Sequence, residues 1–465
     1  MSLAASRKVI VALLVLFASG CTVGPNYHRP PVTVPQTYRG AAATAPPAES
    51  FGDDKWWEVF QDPQLQALIR TALKQNYDVR IAATRILQAQ AQLGIARGNQ
   101  LPTAGAVAAA NDQRVAKSAL FRAYNTSYNQ LELGFQWDLD FWGKYRRATE
   151  AARAELLANN WAQQQVISSL VANVAAAYFT LRAQDLQLRI SQRTLASNQD
   201  SLRLTQLLSD HGATSLLDVR QAEQLVYNAA EAIPSLQKQI EQQEDLISTL
   251  LGQNPDDVAR GLELTAQPRL EAVPSGLPSS LLERRPDIRE AEAQLMAANA
   301  RIGVAKAAYF PDISLTGVTG FQSIPLHTLF TGPSGMWNFT GQLAQPLFAG
   351  GTLRGGVRFA EAKQQEAVLN YQQTIQQAFR EVSDALIAYE KDHEYSIQQE
   401  LLTRSAQDAS RLSDIRYRGG ASSYLEVLDS NTRTYAAELA LAQAQLNEML
   451  DYVQLYRSLG GGWQK

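Results

Sequence analysis

A constant shift of 209 positions carries Asp78 onto Asp287, Arg80 onto Arg289, Ala82 onto Ala291, Gly94 onto Gly303, Ala96 onto Ala305 and Pro102 onto Pro311, with no gap. Further along the shift is 208: Gly212, Ala213, Ser215 and Leu217 meet Gly420, Ala421, Ser423 and Leu425, and Leu251-Gly252 meets Leu459-Gly460. Length alone, at 465 residues, would suggest two or three domains. A repeat of this period makes the chain one unit written twice. Whatever one copy folds into, the other must fold into as well, and that limits the architecture more than composition does.

Each copy opens on an Ala-rich helix stopped by proline, as in the stretch from Arg285-Pro286-Asp287 to Tyr309-Phe310-Pro311. Strand patterns follow. Leu131, Leu133, Phe135, Trp137 and Leu139 alternate with Gln130, Glu132, Gly134, Gln136 and Asp138, which gives a strand one apolar and one polar face. In the second copy Ile313 and Leu315 begin one strand, and Trp337, Phe339 and Leu343 mark another. Strands are expected at about 103–112 and 128–139, and again at about 312–322 and 336–346. The stretch 104–110 is too rich in small residues to read as a strand by itself, and the duplication supplies it.

Beyond each strand pair runs a long helical pattern. Ile167, Val174, Leu181, Leu188, Leu195 and Leu202 recur every seven residues, as do Val368, Ile375, Val382 and Tyr389. At about 1.5 Å rise per residue the first of these helices is a rod on the order of 100 Å long. Turns beginning at Gly212 and Gly419 send the chain back along Val219, Val226, Ile233, Ile240 and Ile247, and along Leu425, Thr432, Leu439, Leu446 and Val453. Sustained heptads pack two such arms as a coiled coil. Pro234 is expected to kink the first return arm. The division that results is an extended N-terminal segment at 21–61, a first repeat at 62–260 opening on the Asp62-Pro63 helix start, a linker at 261–280, a second repeat at 281–460 and a tail at 461–465.

Arg7 and Lys8, an apolar run from Val9 to Phe17, and Ala18-Ser19-Gly20 read as a signal peptide over 1–20, too short to span a bilayer. Cys21 follows at once and resembles the lipidated cysteine of a bacterial lipobox, although Ala18 stands where such boxes usually carry Leu. Thr22 rather than Asp after it implies sorting to the outer membrane. Each buried lipid methylene contributes about 0.8 kcal/mol, so a multiply acylated Cys21 is a stable anchor. The alternative is an ordinary secreted protein with a cysteine near its cleavage point. As the single cysteine it forms no disulfide within the chain, and His28, His211, His327 and His393 are too scattered to suggest a metal site. A net charge of −3 gives no reason to expect nucleic acid. No catalytic constellation stands out. Gly350-Gly351-Thr352-Leu353-Arg354-Gly355-Gly356 lacks the Lys-Ser/Thr ending of a phosphate-binding loop and reads as a strand-to-helix junction.

Two strand pairs give four strands, which cannot close a barrel. Open sheet edges are not tolerated in hydrocarbon, and bacterial outer-membrane barrels start at about eight strands. Strands that enter a membrane must then be shared among copies, eight for a dimer or twelve for a trimer. Trp137, Trp142 and Trp337 fit an interfacial aromatic girdle.

The Asp287-to-Pro311 signature, Cys21-Thr22-Val23-Gly24-Pro25-Asn26-Tyr27, Trp56-Trp57 with Asp62-Pro63, Ile233-Pro234 and Leu250-Leu251-Gly252 together resemble the TolC-like outer membrane factors. Within them the resemblance is to the lipoprotein branch of the NodT and OprM type that serves tripartite efflux pumps. It implies a mainly α protein with a membrane β-barrel: a homotrimer closing twelve strands in outer-membrane lipid above an α-helical periplasmic tunnel. It implies a passive duct without enzyme activity, with no cofactor beyond the lipid on Cys21. The tips at Gly212, Ala213, Gly420 and Ala421 would dock onto a periplasmic adaptor and an inner-membrane pump of the resistance-nodulation-division (RND) kind, to export drugs or other small molecules.

The resemblance also implies a closed aperture at Leu425, Glu426 and Asp429, with three copies of Asp429 making an acidic ring that favours cations. Ser423-x-x-Glu426 equally fits a capping box, so Glu426 either faces the opening or caps its helix. A latch between neighbouring hairpins falls on Asp218 and Tyr417. The Arg that TolC carries after the turn is Ser422 here, and Arg416 or Arg418 can substitute. Two other functions fit parts of the pattern: a duct for type I protein secretion, and a non-porous coiled-coil envelope lipoprotein, which explains the heptads but not the alternating strands.

Overall fold

A computed structural model describes residues 22–40, 50–117, 122–268 and 273–464; the signal stretch and Cys21 lie outside them. Helices α1 (Trp56–Val59), α2 (Pro63–Gln75) and α3 (Tyr77–Gly98) precede strands β1 (Thr103–Val115) and β2 (Tyr124–Leu139), followed by α4 (Lys144–Asp210) and α5 (Leu216–Leu250). The second half repeats that order with α6 (Pro278–Arg284), α7 (Pro286–Ala307), β3 (Asp312–Ser323), β4 (Gly335–Ala344), α8 (Thr352–Arg418) and α9 (Tyr424–Ser458). In three helix pairs the duplication holds to the residue: α3 and α7 have 22 residues each, α4 and α8 have 67, and α5 and α9 have 35, whereas α2 has 13 and α6 has 7. Helix α5 runs as one element through Pro234. The first strand pair is longer than its alternation indicates, because backbone pairing continues from Asn111 opposite Tyr128 to Val115 opposite Tyr124 after the apolar side chains end. Strand β4 stops sooner than expected, at Ala344, just before Pro346 removes a donor.

The chain divides into two compact units, each drawing on both repeats. One unit comprises the described residues up to Pro31, with Arg85–Asn160 and Glu290–Gln372. Its centre is a four-stranded antiparallel sheet in the order β1-β2-β3-β4, so β1 and β4 are edges. The register lines up Ala106, Leu133, Thr319 and Trp337 on one face, and Thr103, Gln136, Thr316 and Thr340 on the other. On the apolar face the rings of Phe135 and Phe339, 5.6 Å apart, close over Gly317; a Cβ there would fall 2.0 Å from Phe135. Trp337, Phe339 and Leu343 of the edge strand are exposed. Trp142 is used internally, stacked on Phe310 at 4.7 Å with its N–H donated to the Pro311 carbonyl. The extended segment after Thr22 is fastened to the helices that meet the sheet. Val23 donates to Trp142 O at 3.0 Å, buried Arg147 donates to Val23 O and Asn26 Oδ1, and Arg29 grips the buried Glu292 carboxylate at 2.5 and 2.6 Å.

The other unit holds Val32–Thr84, Trp161–Arg289 and the described part of Gln373–Lys465. Asp62, fully buried, is its junction. One carboxylate oxygen accepts from the Gln64 and Leu65 amides, the other from Tyr178 OH, Leu262 N and Gln267 Nε2 at 2.8–3.0 Å, so the capping residue of α2 also ties down α4 and the linker. Among the described residues α4 alone is long and apolar enough, by composition, to cross a membrane, but 67% of its apolar window is buried inside the protein. Val174, Leu181, Ile375 and Val382, all heptad positions, are fully buried or nearly so.

Candidate functional site

The candidate site is the pair of turns where α4 meets α5 and α8 meets α9. Both turns use one backbone device. Gly212 and Gly420 sit at φ +71° and +69°, a region that favours glycine, and nothing lies within 4 Å of where a Cβ would be. In the first turn Gly212 N donates to Ser209 O and Ala213 N to Leu208 O; in the second Gly420 N donates to Tyr417 O and Ala421 N to Arg416 O, all at 2.8–2.9 Å. This is a Schellman ending, which satisfies carbonyls that a helix C-terminus leaves open.

The side chains diverge where the backbones agree. In the first turn Ser215 and Asp218 form a full capping box: Ser215 Oγ accepts from Asp218 N, and the Asp218 carboxylate accepts from Ser215 N at 3.1 Å and from the hydroxyls of Ser215 and Thr214. The Thr214 bond first, then those from Ser215, hold Asp218 below the ordinary carboxylate value against an opposing effect of burial. Within one chain this candidate latch residue is therefore engaged by its own helix start. In the second turn Ser423 makes no side-chain cap. Glu426 instead pairs with Arg416, Nε to Oε2 at 3.5 Å, and Arg416 also donates to Ala421 O. Of the two readings open for Glu426, the cap is not formed. Arg418 turns back onto Asp414 at 2.8 Å, which leaves Arg416 as the basic group facing the turn.

Leu425 is exposed, and so is Asp429, whose carboxylate meets Arg433 at 2.8 Å four residues on. The second turn thus presents an exposed ion pair where a bare acid was expected, and such pairs contribute about 0–1 kcal/mol. Beneath them Tyr424 is buried with Val427 and Ala222, with Leu202, Tyr417 and Leu428 packed around; the Tyr417 and Tyr424 rings lie 5.3 Å apart, edge to face. Burial pushes the Tyr424 phenol up. Tyr417 is half-buried in this cluster, which joins the ends of the two hairpins by apolar contact. An open groove of about 710 Å³ runs from Asp429 and Arg433 along α8 and α9, lined by Leu402, Ala406, Ala409 and Ala436. No cluster of His, Cys, Asp and Glu suited to a metal ion occurs among the described residues. Arg433 was readable in the sequence as an (i, i+4) partner of Asp429; the facing of Arg416 and Glu426 across the turn was not.

Comparison with known proteins gives a consistent picture. A profile of a family described as outer membrane efflux protein matches residues 68–253 and again 277–461, one match per repeat. Among curated relatives, the probable efflux pump outer membrane protein TtgC of Pseudomonas putida is 36% identical over 460 residues, covering 97% of this chain and 95% of its own length. The cation efflux system protein CusC of Escherichia coli is 34% identical, covering 98% and 99%. Among solved structures, the outer-membrane channel OprN superposes with a TM-score of 0.88 at 32% identity, covering 96% of this chain and all of that one.

Proposed function

Because this chain belongs to the outer membrane efflux protein family, and is an outer-membrane component of an efflux pump, we propose that three copies join their sheets into one twelve-stranded barrel continuous with a helical duct. The observation that carries this reading is the four-stranded sheet itself: apolar on one face, polar on the other, and open at β1 and β4. In hydrocarbon each unpaired edge group costs several kcal/mol, on the order of a lost hydrogen bond each, so both edges must find partners. Copies related by a threefold axis pair β1 of one with β4 of the next and leave no edge.

Solutes pass through passively, and the driving energy comes from an inner-membrane pump of the RND kind, reached through a periplasmic adaptor that docks at Gly212, Ala213, Gly420 and Ala421. The cargo is drugs or other small molecules. Leu425, Glu426 and Asp429 form the aperture at the tips, with Arg416 and Arg433 as their counter-charges; Asp218 and Tyr417 belong to the latch. The repeats at 62–260 and 281–460 are the units that contribute one hairpin each. Lipidated Cys21 anchors the chain; Thr22, its neighbour, packs within 3.3 Å of where a Gly143 Cβ would be, beside the end of β2, which supports an anchor at the membrane-proximal end of the helices.

Detergent-solubilised protein is expected to have the mass of three chains, and deleting its gene should sensitise the cell to small toxic compounds as strongly as deleting the neighbouring pump. A monomeric mass, or unchanged susceptibility together with a lost secreted protein, would remove the reading.

A further inference from the structure

Residues 324–334 join β3 to β4 at the end of the sheet away from α7 and α8, and they include no Asp, Glu, Lys or Arg. Ile324, Leu326 and Phe330 are 70%, 67% and 68% exposed, nearly as open as Trp337 on β4 at 75%. The polar groups turn the other way. Ser323 Oγ and Thr328 Oγ1 both donate to Pro325 O, and Thr331 Oγ1 and Ser334 Oγ both donate to Thr328 O, at 2.7–2.9 Å. The amides of Thr328, Leu329, Thr331 and Ser334 close short turns onto the carbonyls of Pro325, Leu326, Thr328 and Thr331, and Pro325 and Pro333 bring no donor. Apolar side chains outward and polar groups paired inward suit a surrounding without water.

Phe330 shows on which side of the sheet the loop lies. Its ring packs edge to face on Phe321 at 5.6 Å, and Phe321 stands opposite Leu131 in the register, on the face that carries Leu133 and Trp337. The loop therefore extends the apolar face beyond the strands. The strands alone leave that face short. On β3 it runs from Ile313 to Phe321, which at about 3.4 Å per residue and a tilt of about 40° rises about 20 Å, whereas the apolar band of an outer-membrane barrel is about 25 Å tall. The first strand pair does not supply the difference: past Ala110 the same face of β1 carries Asp112 and Arg114, and Lys117 and Arg122 lie in the connection that follows. In the proposed barrel a neighbouring copy brings the Arg114 end of its β1 alongside β4, a charged strand end that offers these side chains no apolar cover.

We propose that residues 324–334 form a lipid-binding loop, with Ile324, Leu326 and Phe330 seated among the acyl chains of the outer leaflet. The loop then completes the apolar band over the second strand pair and holds that end of the sheet at a fixed depth, as apolar side chains do at a membrane boundary. The inference rests on the reading in which the apolar face of the sheet meets lipid. The first strand pair, with its charged connection, ends instead at the aqueous layer.

Nitroxide labels on the full-length protein in phosphatidylcholine vesicles test this, placed one at a time through Leu326→Cys, Phe330→Cys, Trp337→Cys and Lys117→Cys. Collision with oxygen, which dissolves in hydrocarbon, is compared with collision with a water-soluble nickel chelate, and the parent protein labelled in the same way gives the background from Cys21. The oxygen-to-nickel ratio at Leu326→Cys and Phe330→Cys should match that at Trp337→Cys and exceed that at Lys117→Cys several-fold. Ile324→Cys replaces either loop variant that does not assemble. A water-like ratio in the loop beside a lipid-like one at Trp337→Cys overturns the lipid-binding loop and leaves the barrel standing. Weak collision with both reagents in the loop means cover by protein, and overturns it too. A water-like ratio at Trp337→Cys removes the lipid-facing sheet, and the loop's seat with it.

Discussion

The two helical hairpins have matching lengths and turns and differ in where they carry charge. At the root, Asn76 Nδ2 donates to Leu250 O at 2.9 Å in the first copy, and Arg285 Nη1 donates to the matched Ser458 O at 3.1 Å in the second. Two turns along the return arm from the root, Gln184 and Gln243 stand against Asp392 and Asp451. At the tip, Leu208, Gln221 and Leu225 stand against Arg416, Asp429 and Arg433. The first copy has charges of its own beside Gln184 and Gln243, where Asp185 pairs with Arg182 and Arg260 and the buried Glu244 pairs with Arg260, so the copies differ in where charge sits rather than in whether they carry it.

The largest difference is expected at the root. Arg285 is buried, and its guanidinium also pairs with Asp287 at 2.6 Å and Glu381 at 2.8 Å. Arg285→Ala strands two carboxylates and a carbonyl and should cost about 3–5 kcal/mol, the usual penalty for breaking a buried ion pair. Asn76→Ala should cost about 1–3 kcal/mol, as for one buried group left unbonded. Denaturant midpoints of the assembled protein measure both, and equal losses would break the comparison.

Next in size is an opposition in acid. Burial alone would raise Asp62, but the bonds from Gln267, Tyr178, Gln64 and Leu262 outweigh it and hold the carboxyl below its ordinary value. A group depressed in this way stabilises the fold above its unfolded value, about 3.9, and loses that contribution as pH falls through the folded value. Asp62→Asn should lower stability by about 1–3 kcal/mol at neutral pH and flatten the acid limb of a melting-temperature profile. Burial pushes Asp451 up to about 7, so Asp451→Asn should flatten the profile between about pH 4 and 7 with the opposite sign. Profiles that change in the same direction would refute one of the two assignments.

The smallest contrast lies in the caps. Ser215→Ala removes a working capping box and should cost about 1 kcal/mol. Ser423→Ala removes a side chain that caps nothing and should stay within about 0.5 kcal/mol of the parent. Melting temperatures of the two single variants measure the difference.

Much of this was legible in the sequence for definite physical reasons. The intervals between matched residues fix the lengths of the long helices, and the alternation from Leu131 to Leu139 fixes which face of β2 is apolar. Glycine at 212 and 420 announces the turns. The root bonds were not legible, because Asn76 and Arg285 reach partners 174 and 173 residues away with no local spacing to betray them. Ser423-x-x-Glu426 had the spacing of a cap, yet Arg416, where the first copy has Leu208, offers Glu426 a charged partner that Asp218 never meets.

Single-channel conductance of the purified protein in a planar lipid bilayer tests most directly whether three copies form one duct closed at the tips of the second hairpin. Asp429→Ala combined with Glu426→Ala should raise the conductance about twofold or more, or weaken its cation preference, while Gln221→Ala at the matched place in the first hairpin leaves both unchanged. A protein that forms no pore, or one whose second-hairpin variant conducts like the parent, would contradict it.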